Sequence, residues 1–203
     1  MKLFHTPTSP YVRKVMVFAH ETGLSSRITT TFLRPVPMKA DATLSQDNPL
    51  SKIPALTTDD GVVLYDSGVI CEYMDTLHDG PRLIPQAGPE RWQALRIQAL
   101  CNGILEAAIL VFYERTLRPE GLRWTAWMDG QLEKVTQGLD ALERDAATFG
   151  EKVELPQICA GATVGWLAFR NSLVEPTAGR PTLAKWYDQF AARESMRATV
   201  PHM

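Results

Sequence analysis

A single break divides the sequence. Between Asp79 and Pro89, three prolines and two glycines fall within eleven positions, a composition that interrupts both helices and strands. Before the break, strand-like and helix-like patterns alternate. Beyond it there is no convincing strand, only helical periodicity. Two modules with different architectures follow, and 203 residues suffice for two small domains. A chain of this size buries about 70% of its unfolded surface on folding.

In the first module, Lys2 to His5 is a strand-like run. Thr6-Pro7-Thr8-Ser9-Pro10 then turns the chain and starts a helix, with Ser9 as N-cap and Pro10 in the first helical position. Val12, Val15, Met16 and Ala19 form its apolar stripe, and Gly23 ends it. Ile28 to Phe32 is rich in β-branched residues and reads as a second strand. Strand, helix and strand in this order make a right-handed βαβ unit. A loop with Pro35 and Pro37 leads to a short helix at about Asp41 to Gln46. Ile53 to Thr57 and Val62 to Tyr65 flank Thr58-Asp59-Asp60-Gly61, a hairpin signal. Asp66 and Ser67 open a helix through Cys71, Met74 and Leu77. The expectation for residues 1–78 is an α/β sandwich, βαβαββα, with a mixed sheet.

In the second module, Trp124, Met128, Leu132, Val135, Leu139 and Leu142 recur at intervals of three and four, one face of a long helix. Glu90 to Arg115, Leu155 to Asn171 and Thr182 to Ala192 read as three more helices. Residues 90–203 are expected to form an all-α bundle, joined to the first domain by a linker at 79–89.

Charge and composition exclude several functions. The net charge is −2, and residues 1–78 carry seven basic and eight acidic groups, so neither half is basic. Without a basic stripe, a nucleic-acid partner is not expected. The N-terminus lacks the apolar core of a signal peptide. The longest uncharged stretch of the second half, Leu155 to Phe169, is short for a membrane span. Cys71, Cys101 and Cys159 are odd in number, far apart and set in apolar helical patterns. They suit buried cytosolic thiols rather than a disulfide framework, a zinc cluster or a redox pair. A cytoplasmic protein with no metal and no membrane partner is the expectation.

Three segments of the first module carry candidate chemistry. The start of a helix at Ser9 favours an anion, and a thiol held there would ionise more readily with a hydrogen bond from the Ser9 hydroxyl; alternatively Ser9 only caps its own helix. Pro54 at the mouth of a strand cannot donate to the ladder. It is either a trans proline on an edge strand or a cis proline that turns the Ile53 N–H and C=O toward a peptide-like ligand. Asp66 and Ser67 offer a carboxylate for an ammonium, and a hydroxyl with backbone N–H groups for a carboxylate. That pair suits the zwitterionic head of an α-amino acid, or else simply caps a helix.

Together, Ser9-Pro10-Tyr11-Val12-Arg13-Lys14-Val15, Asn48-Pro49-Leu50-Ser51-Lys52-Ile53-Pro54-Ala55-Leu56 and Tyr65-Asp66-Ser67-Gly68-Val69-Ile70 resemble cytosolic glutathione S-transferases, in particular bacterial members with an early active-site serine. The resemblance spans essentially the whole chain. It implies a thioredoxin-like first domain, an all-helical second domain, glutathione as co-substrate and a two-fold homodimer of detoxifying type. By this resemblance Ser9 hydrogen-bonds the glutathione sulfur, and Ile53, before a cis Pro54, pairs with the cysteinyl backbone. Asp66 and Ser67 hold the γ-glutamyl end. Lys52 either reaches the glycine carboxylate or stays solvated.

The thiolate would attack an electrophile in an aromatic pocket for which Tyr11, Phe112, Tyr113 and Trp166 are the candidates, each also suited to plain core. Isomerisation, dehalogenation, disulfide reduction and glutathione or partner binding without turnover remain alternatives. Three departures stand out. Ser51 replaces a frequent glycine, and Asn102 stands where related sequences tend to carry Asp. At the start of the buried bundle helix, Glu154-Leu155-Pro156-Gln157 lacks the usual Ser/Thr-x-x-Asp cap.

Overall fold

The computed structural model describes residues 1–171 and 173–203. The chain divides into two compact units, residues 1–85 together with 194–203, and residues 86–193.

The sheet of the first unit is built on β1 (Lys2–His5). It pairs in parallel with β2 (Thr29–Phe32) and antiparallel with β3 (Leu56–Thr57), which pairs antiparallel with β4 (Val63–Leu64), in the order β2-β1-β3-β4. This is the mixed sheet expected from the sequence, with shorter last strands. Residues 53–55 run outside the strand because Pro54 has no N–H to give the ladder, and only the Ala55 carbonyl still accepts from Phe4 N, at 3.0 Å. Gly61, at φ 87°, makes the hairpin turn.

Helix α1 (Pro10–Glu21) crosses between β1 and β2. Its end is a Schellman turn around Gly23 at φ 71°: Gly23 N–H reaches His20 O and Leu24 N–H reaches Ala19 O. A short α2 (Leu44–Asp47) follows β2, and Leu44 joins Phe4 and Ala55 in a buried cluster. Helix α3 (Ser67–Met74) packs on α1. Its expected last turn tightens instead into i→i+3 bonds at Thr76 and Leu77. Beyond it the buried Asp75 carboxylate accepts the N–H groups of Leu83 (2.9 Å) and Ile84 (3.3 Å), so the linker is fastened to the first unit.

The second unit contains α4 (Gly88–Leu117), α5 (Thr125–Ala146), α6 (Leu155–Phe169) and α7 (Pro181–Ala191). By length and composition α4 is apolar enough to cross a bilayer. Its buried residues Ala94, Ile97, Cys101, Ile104, Ala108 and Val111 recur every three or four positions, and it packs on α5 and α6 as a bundle helix does. Helix α6 is buried continuously from Leu155 to Leu167. The usual Ser/Thr-x-x-Asp cap is absent there, and another pair of side chains takes its place. Gln157 accepts from Glu154 N at 3.2 Å, and the Glu154 carboxylate takes the Gln157 N–H, a capping box built from Glu and Gln.

One further correction concerns the C-terminus. Residues 194–203 belong to the first unit rather than to the helical one. Helix α8 (Glu194–Arg197) packs on α1, with Arg13 Nη2 donating to Met196 O (3.2 Å) and Ser195 Oγ to Glu21. Cys71, Cys101 and Cys159 are all buried and form no disulfide.

Candidate functional site

Register brings the three chemistry-bearing segments of the first unit to one end of its sheet. Leu3 pairs with Leu56, and Leu56 with Leu64. Counting on from these pairs sets Pro54 and Asp66 level with His5 and Ile53 level with Thr6, where the chain turns toward Ser9. At this edge, burial holds the His5 imidazole below its ordinary pKa, and the neighbouring His202 adds to the effect.

Ser9 is the N-cap of α1, its Oγ accepting from Val12 N at 3.2 Å. A hydroxyl that accepts one bond keeps its proton to donate. Capping and anion binding are therefore compatible at this residue, not rival descriptions.

The Ile53–Pro54 bond is cis, as is Tyr65–Asp66. The Ile53 side chain packs against Phe4, Leu44 and Ala55, while its main chain lies outside the strand pairing. The turn before it is held by buried Asn48, whose amide donates to Lys52 O at 2.8 Å. Ser51 adopts φ 51° in place of a glycine, and its Oγ accepts from Asp41 N at 2.7 Å. Lys52 itself is exposed.

At the start of α3, the exposed Asp66 carboxylate accepts from Gly68 N at 2.9 Å. Ser67 is buried, and its Oγ accepts from the ammonium of Lys14 at 2.9 Å. Lys14 lies within the Ser9–Val15 motif, where the sequence assigns it no role of its own. Its signal was a charge out of pattern, four residues from Pro10 and four from Phe18 on an apolar helical face.

The aromatic candidates divide between the units. Tyr11 lies half-buried in the first, with Lys14 Nζ 5.8 Å from its ring centroid. In the second, Phe112 tilts against Tyr113 (6.0 Å between centroids) and meets Trp166 edge-on (6.5 Å). Trp166 is only 2% exposed and packs as core, whereas Phe112 and Tyr113 are half-buried. The guanidinium of Arg170, another residue the sequence did not single out, lies 4.2 Å from the Phe112 centroid. Burial pushes the Tyr113 phenol up, an effect partly opposed by Arg170. Asn102 is half-buried on α4.

Comparison with known proteins matches both units to one family. The glutathione S-transferase N-terminal domain family matches residues 8–77, and the glutathione S-transferase C-terminal domain family matches residues 125–189. The chain is 33% identical to the uncharacterized GST-like protein YibF of Escherichia coli (strain K12), over 99% of this chain and 98% of that one. A glutathione transferase family member from Pseudomonas fluorescens Pf-5, solved with bound glutathione, matches with a TM-score of 0.96 at 44% identity, over 100% of this chain and 99% of that one. A family member from the same strain with bound S-(propanoic acid)-glutathione matches with a TM-score of 0.92 at 42% identity, both chains being fully covered. Sequence likeness along nearly the whole length and the shared architecture of both units lead to one assignment: the chain belongs to the glutathione S-transferase family.

Proposed function

We propose that this protein is a glutathione transferase that binds reduced glutathione in its first unit and stabilises the thiolate for attack on an electrophile. The observation that carries this reading is the convergence of Ser9, Ile53-Pro54 and Asp66-Ser67 at one sheet end. In this reading the Ile53 main chain pairs with the cysteinyl residue, and Asp66 and Ser67 take the γ-glutamyl ammonium and carboxylate. Lys52 faces the glycine carboxylate. The relatives solved with glutathione and with an S-substituted glutathione support the ligand class.

The thiol proton leaves to solvent on binding, and the Ser9 O–H and the N-terminal end of α1 stabilise the sulfur anion. Attack then forms a carbon–sulfur bond, with glutathione as nucleophile and no covalent protein intermediate. The rate gain comes from that stabilisation and from holding two reactants together. For the electrophile we propose Phe112 and Tyr113 of the second unit, Phe112 resting edge-on against Trp166. A two-fold homodimer and a cytoplasmic location belong to the same proposal.

Ser9→Ala tests it. Losing a hydrogen bond to an anion is worth roughly 1.5–3 kcal/mol, so the bound thiol pKa should rise by about one to two units. Turnover at neutral pH should fall about 10- to 100-fold and recover as pH rises, because solvent then ionises the thiol unaided. Stability should drop by only about 1 kcal/mol, the scale of a lost cap. Ultraviolet thiolate absorbance reads the ionisation directly. A thiol pKa that stays put while glutathione still binds would remove Ser9 from the chemistry and leave it as a cap.

A further inference from the structure

We infer that Lys14 is a positioning residue for the α-carboxylate of the γ-glutamyl group, acting through Ser67; this rests on the glutathione-binding reading above. Lys14 is 1% exposed, yet it carries an ammonium into the packing between α1 and α3. Its Nζ lies between the Tyr11 ring, 5.8 Å from the centroid, and Ser67 Oγ at 2.9 Å. An ammonium out of water is costly unless negative charge or good acceptors compensate it.

The hydrogen bond has a direction that matters. An ammonium only donates, so Ser67 Oγ accepts from it and the Ser67 proton is left to donate onward. Ser67 is also the first residue of α3, where the helix N-terminus favours an anion. A carboxylate receiving the Ser67 proton sits one hydrogen bond beyond an ammonium. That is about the 4–6 Å range over which opposite charges act strongly on one another. Polarisation along the chain from Lys14 to Ser67 to carboxylate strengthens both bonds.

Asp66, one residue earlier, is exposed and negative. Ser67 thus takes a positive partner from Lys14 and directly follows the exposed, negative Asp66, an order that suits a head group carrying a carboxylate and an ammonium on one carbon. The reversed head group would set like charges together. Lys14 therefore supplies selectivity for a γ-glutamyl group with a free α-carboxylate.

The test compares glutathione with γ-aminobutyryl-cysteinylglycine, which keeps the amine and lacks only that carboxylate. Calorimetric titration of the full-length wild type should show glutathione binding at least roughly tenfold tighter, the scale of a charge-assisted hydrogen bond. Equal affinities overturn the inference without any variant. In Lys14→Gln, which retains an N–H donor but no charge, glutathione affinity should fall roughly tenfold while that of the analogue stays within about twofold. In turnover, KM for glutathione should rise with kcat at saturation unchanged, and Lys14→Arg should restore part of the difference. Parallel loss for both ligands would mean that Lys14 only supports the packing, and overturns the proposal. A wild type that binds no glutathione at all takes down the functional reading, and this inference with it.

Discussion

Ser51 shows how one side chain compensates for an awkward backbone. Its φ of 51° lies in the left-handed region, which costs a non-glycine residue about 1–2 kcal/mol. Its Oγ accepts from Asp41 N–H at 2.7 Å, worth about 0.5–1.5 kcal/mol. The two effects nearly cancel, which explains how serine keeps the glycine-like turn ahead of Lys52 and Ile53. Ser51→Gly, which relieves the first and loses the second, should leave stability within about 1 kcal/mol of wild type. Ser51→Ala keeps the strain and loses the bond, so it should be less stable than Ser51→Gly by about 1 kcal/mol or more. Urea midpoints of the two variants decide the matter, and an alanine variant as stable as the glycine one would mean that the backbone strain is negligible.

Between elements, a tight constraint lies where α4 meets α5. A Cβ added at Gly138 would come within 2.5 Å of Ile104 Cγ1. Helix propensity alone favours alanine over glycine by about 1 kcal/mol. Overpacking a filled interface costs about 1–3 kcal/mol, and at so short an approach the larger effect wins. Gly138→Ala should therefore lower stability by about 1–2 kcal/mol despite its better propensity. Pairing it with Ile104→Val should recover more than the sum of the single effects predicts, since the two sites share one contact. Thermal unfolding of the four proteins closes the cycle, and a stabilised Gly138→Ala would show that the helices separate freely there. Burial elsewhere follows the same logic. The buried start of helix α6 is closed by the Glu154–Gln157 box, which gives partners to backbone N–H groups there.

For the whole molecule, assembly is the property that the proposed function carries furthest beyond the single chain. Val62, Tyr65 and Val69, all within residues 62–69 of the first unit, are exposed apolar side chains of the kind that interfaces cover. The near-zero net charge puts no general repulsion in the way. Sedimentation equilibrium at micromolar protein should give about twice the 22.6 kDa chain mass. A single species at the chain mass would strike the homodimer from the proposal and leave glutathione binding untouched.

What sequence alone determined was local. Helices α1 and α5 were legible because a 3.6-residue period repeats in any chain that buries one helical face, and α6 because a long uncharged run suits a buried core helix. The start of α1 at Ser9-Pro10 and its stop at Gly23 were legible because capping and positive φ select few residue types. The candidate segments at Ser9, Ile53-Pro54 and Asp66-Ser67 were legible as helix and strand ends. That they share one edge is a matter of strand register. Two things were decided only by tertiary structure: the burial of Lys14 against Ser67, and the return of the last ten residues to the first unit. Each depends on partners remote in the chain, the Arg13 bond to Met196 joining residues 183 apart. Periodicity carries no record of such pairs, because the free energy that selects them arises only when distant surfaces leave water together.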